Sequence, residues 1–165
     1  MVTAYLALGS NLGNREAALR GAREALDDIP GVEVAASSSL YETDPVGGPA
    51  GQGPFLNAVL RVKTTLSAPV LLQHCLAVED CFGRRRLEHW GPRTLDVDLL
   101  LYGGKILRLP GLEVPHPRLH QRPFVLLPLL ELAPDLTHPA LGRTVRDLAG
   151  DLPSASGVRR LTDTW

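Results

Sequence analysis

The sequence has little cysteine, no long apolar run and few aromatic residues, and each absence excludes a class of protein. Its two cysteines, Cys75 and Cys81, are six positions apart in a predicted helix, which fits neither a zinc site nor a disulfide bridge. The chain has no run of about 18 apolar residues and no basic segment before an apolar core, so we predict neither a transmembrane helix nor a signal peptide. We therefore expect a cytoplasmic protein.

The charge balance is close to neutral. The chain carries 17 basic and 18 acidic side chains, for a net charge of −1, which argues against broad electrostatic binding to nucleic acid or membranes. We expect small-molecule partners and a monomer. A length of 165 residues suits one domain, 1–165, with a core of its own.

Two aspartates interrupt an apolar run that follows a turn rich in glycine and proline. Side chains on a strand alternate between faces, so Asp96 and Asp98 point the same way while Val97 points the other way. Two carboxylates fixed on one face make a site for Mg²⁺, which takes one or two carboxylates and leaves its other positions to water and phosphate oxygens. The alternative for an isolated Asp-x-Asp is a solvated outer face.

The periodicity of apolar residues predicts a βαββαβ order. We predict strands at 3–8, 32–41, 55–64 and 94–102, helices ending near 29 and beginning near 68, a hairpin at 106–114, helices at 125–132 and 144–149, and a strand at 158–161. This order is typical of an α+β fold, a split βαβ sandwich whose antiparallel sheet has both early helices on one face. We expect the other face to be free for ligands.

Two stretches between these elements are predicted to be loops. Residues 44–54 are rich in glycine and proline, a composition typical of a mobile loop. Residues 83–92 carry several arginines, whose planar guanidinium groups suit phosphate, although a charge run is often only a solvated surface. The glycine-rich junction at 9–14 lacks the spacing of a phosphate loop, and we interpret it as a structural turn.

Six short motifs occur in order over most of the chain. They are ALGSNLGN at 7–14, SLYETDP at 39–45, FLN at 55–57, WGPRTLDVDLL at 90–100, VPHP at 114–117 and RPF at 122–124. Through them the chain resembles the 6-hydroxymethyl-7,8-dihydropterin pyrophosphokinase family, whose members transfer the diphosphate of ATP to a pterin alcohol and release AMP in folate biosynthesis. The resemblance implies a ferredoxin-like α+β sandwich with C-terminal additions, which agrees with the βαββαβ order.

The resemblance also implies roles for individual residues. Asp96 and Asp98 would hold two Mg²⁺ ions that bridge the phosphates of the co-substrate ATP, and Arg84 and Arg93 would bind the transferring phosphates. The ATP side would be formed by Arg86, Trp90, His116 and Arg122. The pterin side would be formed by Thr43, Pro45, Val46, Phe55, Asn57 and Phe124, with Glu79 as a weaker candidate for orienting the site.

Two other functions share parts of this pattern. RNA-binding domains also use βαββαβ sheets, but they stack bases on sheet aromatics, and aromatic residues are only 5% of this chain. A two-metal nuclease would use Asp96 and Asp98 but would have no need of a pterin pocket at Phe55, Asn57 and Phe124. Pterin binding separates these functions from a pyrophosphokinase.

Overall fold

Strands and helices are mixed along the described part of the chain, which is residues 1–45, 53–82, 95–153 and 157–165 of this computed structural model. Its strands are β1 (Val2–Ser10), β2 (Val32–Ser37), β3 (Leu40–Thr43), β4 (Phe55–Thr64), β5 (Asp96–Tyr102), β6 (Leu107–Leu109), β7 (Leu112–Val114) and β8 (Val158–Thr162). Its α-helices are α1 (Arg15–Asp27), α2 (Ala68–Cys81), α3 (Pro123–Leu132) and α4 (Val145–Gly150). The predicted hairpin, late helices and final strand are thus confirmed. No helix within the described ranges is long and apolar enough to cross a membrane.

Polar side chains fix where the first two helices begin. The Asn14 side chain accepts a hydrogen bond from the Ala17 amide at 3.1 Å, and α1 follows directly. Ser67 does the same for α2 through the Val70 amide, at 3.4 Å. Each cap satisfies an amide that has no partner within the helix.

One antiparallel sheet organises the molecule. Its strands lie in the order β5-β1-β4-β3-β8, and β2 pairs with β4 beside β3. Helix α1 connects β1 to β2, and these two strands lie on opposite sides of β4. Helix α2 connects β4 to β5, and β5 lies beside β1 at the edge of the sheet. The predicted combination of an antiparallel sheet with helices is confirmed.

The second predicted strand, 32–41, is two strands rather than one. Ser38 lies between β2 and β3, where its amide donates to the Val59 carbonyl and its hydroxyl accepts from the Val59 amide, both at 2.9 Å. Because a side chain replaces a backbone partner here, regular pairing with β4 stops and resumes at Tyr41. Alternation of residue types alone does not reveal this break.

The first face of the sheet packs against α1 and α2. Ala4, Leu6 and Leu8 of β1 point to this side and lie in one buried cluster with the inward residues of both helices. These helix residues are Leu19, Ala22, Leu26, Leu71, Cys75 and Val78. Apolar side chains at helical spacing therefore meet every second residue of the strands, as the periodicity predicts.

The opposite face is not free, so that expectation is wrong. Tyr5 and Ala7 of β1 lie in a second buried cluster with Leu126 and Leu129 of α3 and with residues of α4. The physical reason is that β1 is apolar at successive positions, and a strand of this kind must be covered on both faces. Helices α3 and α4 supply that cover, so ligands have access only where the apolar cover ends.

The two cysteines differ in their environment. Cys75 is buried in the core, and burial, followed by the charges of Glu79 and Asp98, raises the pKa of its thiol to about 12. Cys81, at the end of α2, is exposed. Both thiols are free, in agreement with the prediction that their spacing fits no disulfide bridge.

Removal of one α3 side chain tests how much the second cluster stabilises the fold. Leu126 is fully buried against the sheet, so we expect Leu126→Ala to lower the free energy of unfolding by about 2–5 kcal/mol, measured by urea denaturation. Leu141→Ala, at an exposed position, is the control and should change it by less than about 0.5 kcal/mol. Similar small changes in both variants would mean that α3 contributes little to stability.

Candidate active site

A row of paired residues crosses the sheet at the end of β1. Gly9 pairs with Asp96 of β5 on one side and with Asn57 of β4 on the other, and Tyr41 of β3 extends the row beyond Asn57. Directly paired residues in a sheet point to the same face. Two residues away along the same strands, Ala7 pairs with Asp98, and residues two apart on a strand share a face. Because Ala7 belongs to the second buried cluster, the row lies on the α3 side of the sheet.

Glycine allows a close approach in the middle of this row. A Cβ atom at Gly9 would lie 3.1 Å from Asn57 Nδ2, which is tighter than nine in ten such contacts, so a larger residue would require the Asn57 side chain to shift. Its neighbour on the same face, Ala7, is also small. These two small residues therefore lie between the aspartates of β5 and the residues of β4 that include Asn57, all on one face of the sheet.

The two aspartates are held on a braced strand. Both are half-buried, and Val97 between them points into the core on the opposite face. Glu79 of α2 is 3% exposed, and its Oε2 accepts a hydrogen bond from the Val97 amide at 2.8 Å. A buried carboxylate therefore holds the backbone of β5 at the point between the two aspartates.

The donor set of Asp96 and Asp98 fits Mg²⁺. Hard oxygen ligands on alternate positions of one strand can bind a divalent ion or a pair of such ions. Within the described ranges no group of three or more histidine, cysteine or carboxylate side chains is arranged to hold a metal. Water and phosphate oxygens would then complete the coordination, which is the usual arrangement for Mg²⁺.

Polar and aromatic side chains lie beside the aspartates on the same face. Asn57 is 7% exposed, and its Oδ1 is buried without a hydrogen-bond partner among the described residues. The Thr43 hydroxyl is also buried without a hydrogen-bond partner among the described residues. Thr43 is the last residue of β3, and it pairs with Phe55 of β4. Since buried polar atoms rarely remain without partners, these groups are suited to a ligand with polar edges. Pro45 follows β3 two residues later.

The start of α3 brings a second ring and a cation. Phe124 is partly buried and packs against the second cluster, and the Arg122 guanidinium lies over its ring with its carbon 5.6 Å from the ring centroid. Arg122 precedes the first residue of the helix. Such stacking orients both the arginine and the ring.

His116 lies on the segment between β7 and α3. Its backbone amide donates to the Leu100 carbonyl at 2.9 Å, and its Nδ1 accepts from the Arg118 amide at 3.2 Å. Burial first, and then the positive charges of Arg122 and Arg118, lower the pKa of His116 to about 4. The ring is therefore neutral at pH 7, and because Nδ1 accepts, Nε2 carries the proton and can donate.

A cavity of about 410 Å³ connects Asp98 with His116. Its walls come from α2, β5 and the β6–β7 hairpin, and its apolar lining includes Leu72, Leu76, Leu109 and Leu112. The sequence interpretation missed these leucines. The sequence does contain one indication of this cavity. Leu76 falls on the outer side of α2, where it is exposed, and an exposed apolar side chain that does not pack in the core can mark a binding surface.

The remaining predicted site residues lie outside the described residues. They are Val46, Arg84, Arg86, Trp90 and Arg93, which belong to 46–52 and 83–94. The arginine loop predicted at 83–92 falls wholly in this part of the chain, and the loop predicted at 44–54 falls mostly in it.

A model of the family described as 7,8-dihydro-6-hydroxymethylpterin-pyrophosphokinase matches residues 5–134. The chain belongs to this family. Curated proteins named 2-amino-4-hydroxy-6-hydroxymethyldihydropteridine pyrophosphokinase align with this chain over most of its length. The protein from Methylorubrum extorquens is 44% identical over 161 residues, which are 98% of this chain and 99% of that protein. The protein from Synechocystis is 45% identical over 145 residues, 88% of this chain and 73% of that protein.

Solved structures of HPPK-DHPS share the fold of this pyrophosphokinase. The Plasmodium falciparum HPPK-DHPS crystal structure with pteroate has a TM-score of 0.71 at 16% identity, covering 90% of this chain and 42% of that chain. A crystal structure of HPPK-DHPS in complex with substrates has a TM-score of 0.69 at 14% identity, covering 90% and 43%. The enzyme described here thus spans less than half the length of those chains.

The low pKa of His116 predicts a dependence of stability on pH. The folded protein binds fewer protons at this ring than the unfolded chain does between pH 6.5 and about 4, so the free energy of unfolding should fall as pH drops through this window. In His116→Gln this part of the pH dependence should disappear, as measured by urea denaturation at several pH values. An NMR titration of His116 with a midpoint near its ordinary value would contradict the prediction.

Proposed function

We propose that the pyrophosphoryl transfer of this family takes place on the α3 side of the sheet, beside Gly9. The observation that supports this location is the row formed by Asp96, Gly9 and Asn57, which puts a carboxylate and a buried amide on one face with only a glycine between them, while Asp98 lies on the same face beside Ala7. Pterin would lie on the Asn57 side, and the ATP phosphates would lie on the aspartate side. The products are the pterin diphosphate and AMP.

Asp96 and Asp98 would bind two Mg²⁺ ions together with the phosphates of ATP. When bound, the ions would supply positive charge that neutralises the diphosphate and lowers the cost of deprotonating the hydroxymethyl group. Asp98 is proposed to take part in that deprotonation, because it lies on the same face of β5 as Asp96. Glu79 holds the β5 backbone and so keeps both carboxylates in register with Gly9 and Ala7.

The nucleotide would occupy the cavity between Asp98 and His116. The cavity of about 410 Å³ is lined by leucines, which can pack against the faces of a purine base, and also by polar side chains that include Glu79 and Glu113. His116, neutral and donating from Nε2, and Arg122 would then bind phosphate oxygens. Arg86 and Trp90 are proposed for the same ATP side, and Arg84 and Arg93 for the transferring phosphates, on the resemblance of their motifs.

The pterin would lie between the rings of Phe55 and Phe124. A flat heteroaromatic ring gains from aromatic faces on both sides, and the edge of a pterin carries several donors and acceptors. Asn57 Oδ1 and the Thr43 hydroxyl, both buried, can satisfy part of that edge. The backbone at Pro45 and Val46 is proposed to supply further contacts.

Three broader properties complete the proposal. The strand order and the two helical crossovers support a ferredoxin-like assignment, with α3, α4 and β8 as C-terminal additions. Residues 1–165 would act as one domain and as a monomer, because one chain supplies all the proposed ligand contacts. A cytoplasmic location is proposed on the membership of this family of folate-biosynthesis enzymes.

Neutralising the aspartates tests the metal site. We expect Asp96→Asn and Asp98→Asn each to lower the rate of AMP formation from ATP, Mg²⁺ and the pterin alcohol by at least about 10²-fold. Because each change relieves repulsion between two nearby carboxylates, the unfolding free energy of the metal-free protein should stay equal or rise. Wild-type rates in either variant, or ADP as the product in the wild type, would contradict the proposal.

Two further variants test the assignment of the two pockets. Phe124→Ala removes one face of the pterin site, so we expect pterin binding to weaken by about 1–3 kcal/mol while nucleotide binding is nearly unchanged. Leu76→Ala shortens the wall of the cavity, so we expect the reverse, with a loss of about 1 kcal/mol for an ATP analogue. Calorimetry with each ligand measures the pterin and nucleotide affinities of both variants. If Phe124→Ala mainly lost nucleotide affinity, or Leu76→Ala mainly lost pterin affinity, the two pockets would be wrongly assigned.

A further inference from the structure

Two arginines hold the carboxylate of Glu42 on β3. Arg15 Nη2 donates to Glu42 Oε2 at 3.2 Å, and Arg159 Nη2 donates to Glu42 Oε1 at 2.9 Å. The side chains of Arg15 and Glu42 are 30% and 21% exposed, so this ion pair is partly shielded from water. The bond from Arg159 first, and then that from Arg15, lowers the pKa of Glu42, which keeps it ionised at neutral pH.

Arg15 differs from Arg159 because it also reaches the neighbouring strand. Its Nη1 donates to the carbonyl of Pro54 at 2.9 Å, directly before the first residue of β4. One planar guanidinium therefore ties the end of β3 to the beginning of β4. Arg159 instead contacts Glu42 and Asp44, both on the β3 side.

The position of Arg15 is itself well fixed. It is the first residue of α1, directly after the Asn14 cap, and α1 packs on the first face of the sheet. Because the helix already fixes the backbone of Arg15, only the freedom of the side chain itself, worth up to about 2 kcal/mol, is lost when it makes these two bonds. Helix α1 thereby becomes the support for the two strand ends.

Arg15 acts from the opposite side of the sheet to the proposed pterin site. Glu42 pairs with Leu56, which belongs to the buried cluster under α1 and α2. The next pair, Thr43 and Phe55, points to the other face, as do Tyr41 and Asn57. Arg15 therefore contacts the backbone and side chains next to the pterin residues without facing the pterin.

We propose that Arg15 is a positioning residue for pterin binding, because it fixes the backbone from which Thr43 and Phe55 project. The proposal rests on the pterin pocket of the proposed function. Without the guanidinium, the ends of β3 and β4 keep their ladder bonds but lose the tie across them. Binding then has to restore the spacing of Thr43 and Phe55, so pterin affinity falls while the nucleotide cavity, on the far side of β1, is unaffected.

The test measures pterin and nucleotide affinities separately by calorimetry, with pterin titrated in the presence of Mg²⁺ and a non-hydrolysable ATP analogue. We expect Arg15→Ala to weaken pterin binding about 5- to 20-fold and nucleotide binding less than about 2-fold. Arg15→Lys keeps the charge opposite Glu42 but lacks the planar fork, so its pterin affinity should lie between those of Arg15→Ala and the wild type. In steady-state kinetics the KM for pterin should rise more than kcat falls.

Arg20→Ala is the matched control. Arg20 lies on the same helix, is exposed, and pairs only with Glu16 among the described residues, so both affinities should stay at wild-type values. If Arg15→Ala does not fold, Arg15→Lys carries the comparison alone.

Three outcomes would overturn a proposal, and they are distinguishable. Equal pterin affinity in Arg15→Ala and the wild type would exclude a positioning role. Equal losses for pterin and nucleotide, with a lower melting temperature, would make Arg15 a general structural residue and would equally overturn the proposal. A wild-type protein that does not bind pterin with the ATP analogue present would instead refute the proposed function.

Discussion

The central strand β1 must be covered on both faces, and the rest of the structure depends on this constraint. Its side chains at successive positions, such as Leu6 and Ala7, enter different buried clusters. Helices α1 and α2 cover one face, and α3 and α4 cover the other. Beyond Ala7 this face of β1 continues with Gly9, which has no side chain and lies between Asp96 and Asn57 of the neighbouring strands. Polar groups that suit a ligand are thus placed together at this end of β1, while the strands that hold Asp96 and Asp98 remain fixed by the core behind them.

Local patterns in the sequence predicted most of the elements but not all of their packing. Helices α1 and α2 follow from the helical spacing of their apolar residues, and strands β1, β4 and β5 follow from short apolar runs that are bounded by turn residues. The break at Ser38 was not predictable in this way, because it depends on bonds to Val59, which is distant in sequence. The cover by α3 was also missed. This helix is apolar nearly all round, which is a sign of deep burial, but periodicity does not say which surface it will bury.

The candidate site shows the same division between local and distant information. The shared direction of Asp96 and Asp98 could be predicted, because it needs only the alternation of one strand. Their alignment with Gly9 and Asn57 could not, because the register of three strands sets it. The leucine-lined cavity likewise needs α2 and the β6–β7 hairpin to approach the same edge of β5. The family motifs identify which residues belong to the candidate site, whereas the pairing of the strands determines how these residues are arranged relative to one another.

The contrast between the two thiols has a practical consequence. A thiol must ionise to react with maleimides or similar reagents, and the raised pKa and burial of Cys75 keep it protonated and shielded in the folded enzyme. Cys81 is exposed, so such a reagent should label the native protein at this single position. A fluorophore or spin label attached there would sit at the end of α2, next in sequence to the arginine-bearing stretch. The natural sequence thus already provides a reporter site for following nucleotide and pterin binding in solution, without removal of any cysteine.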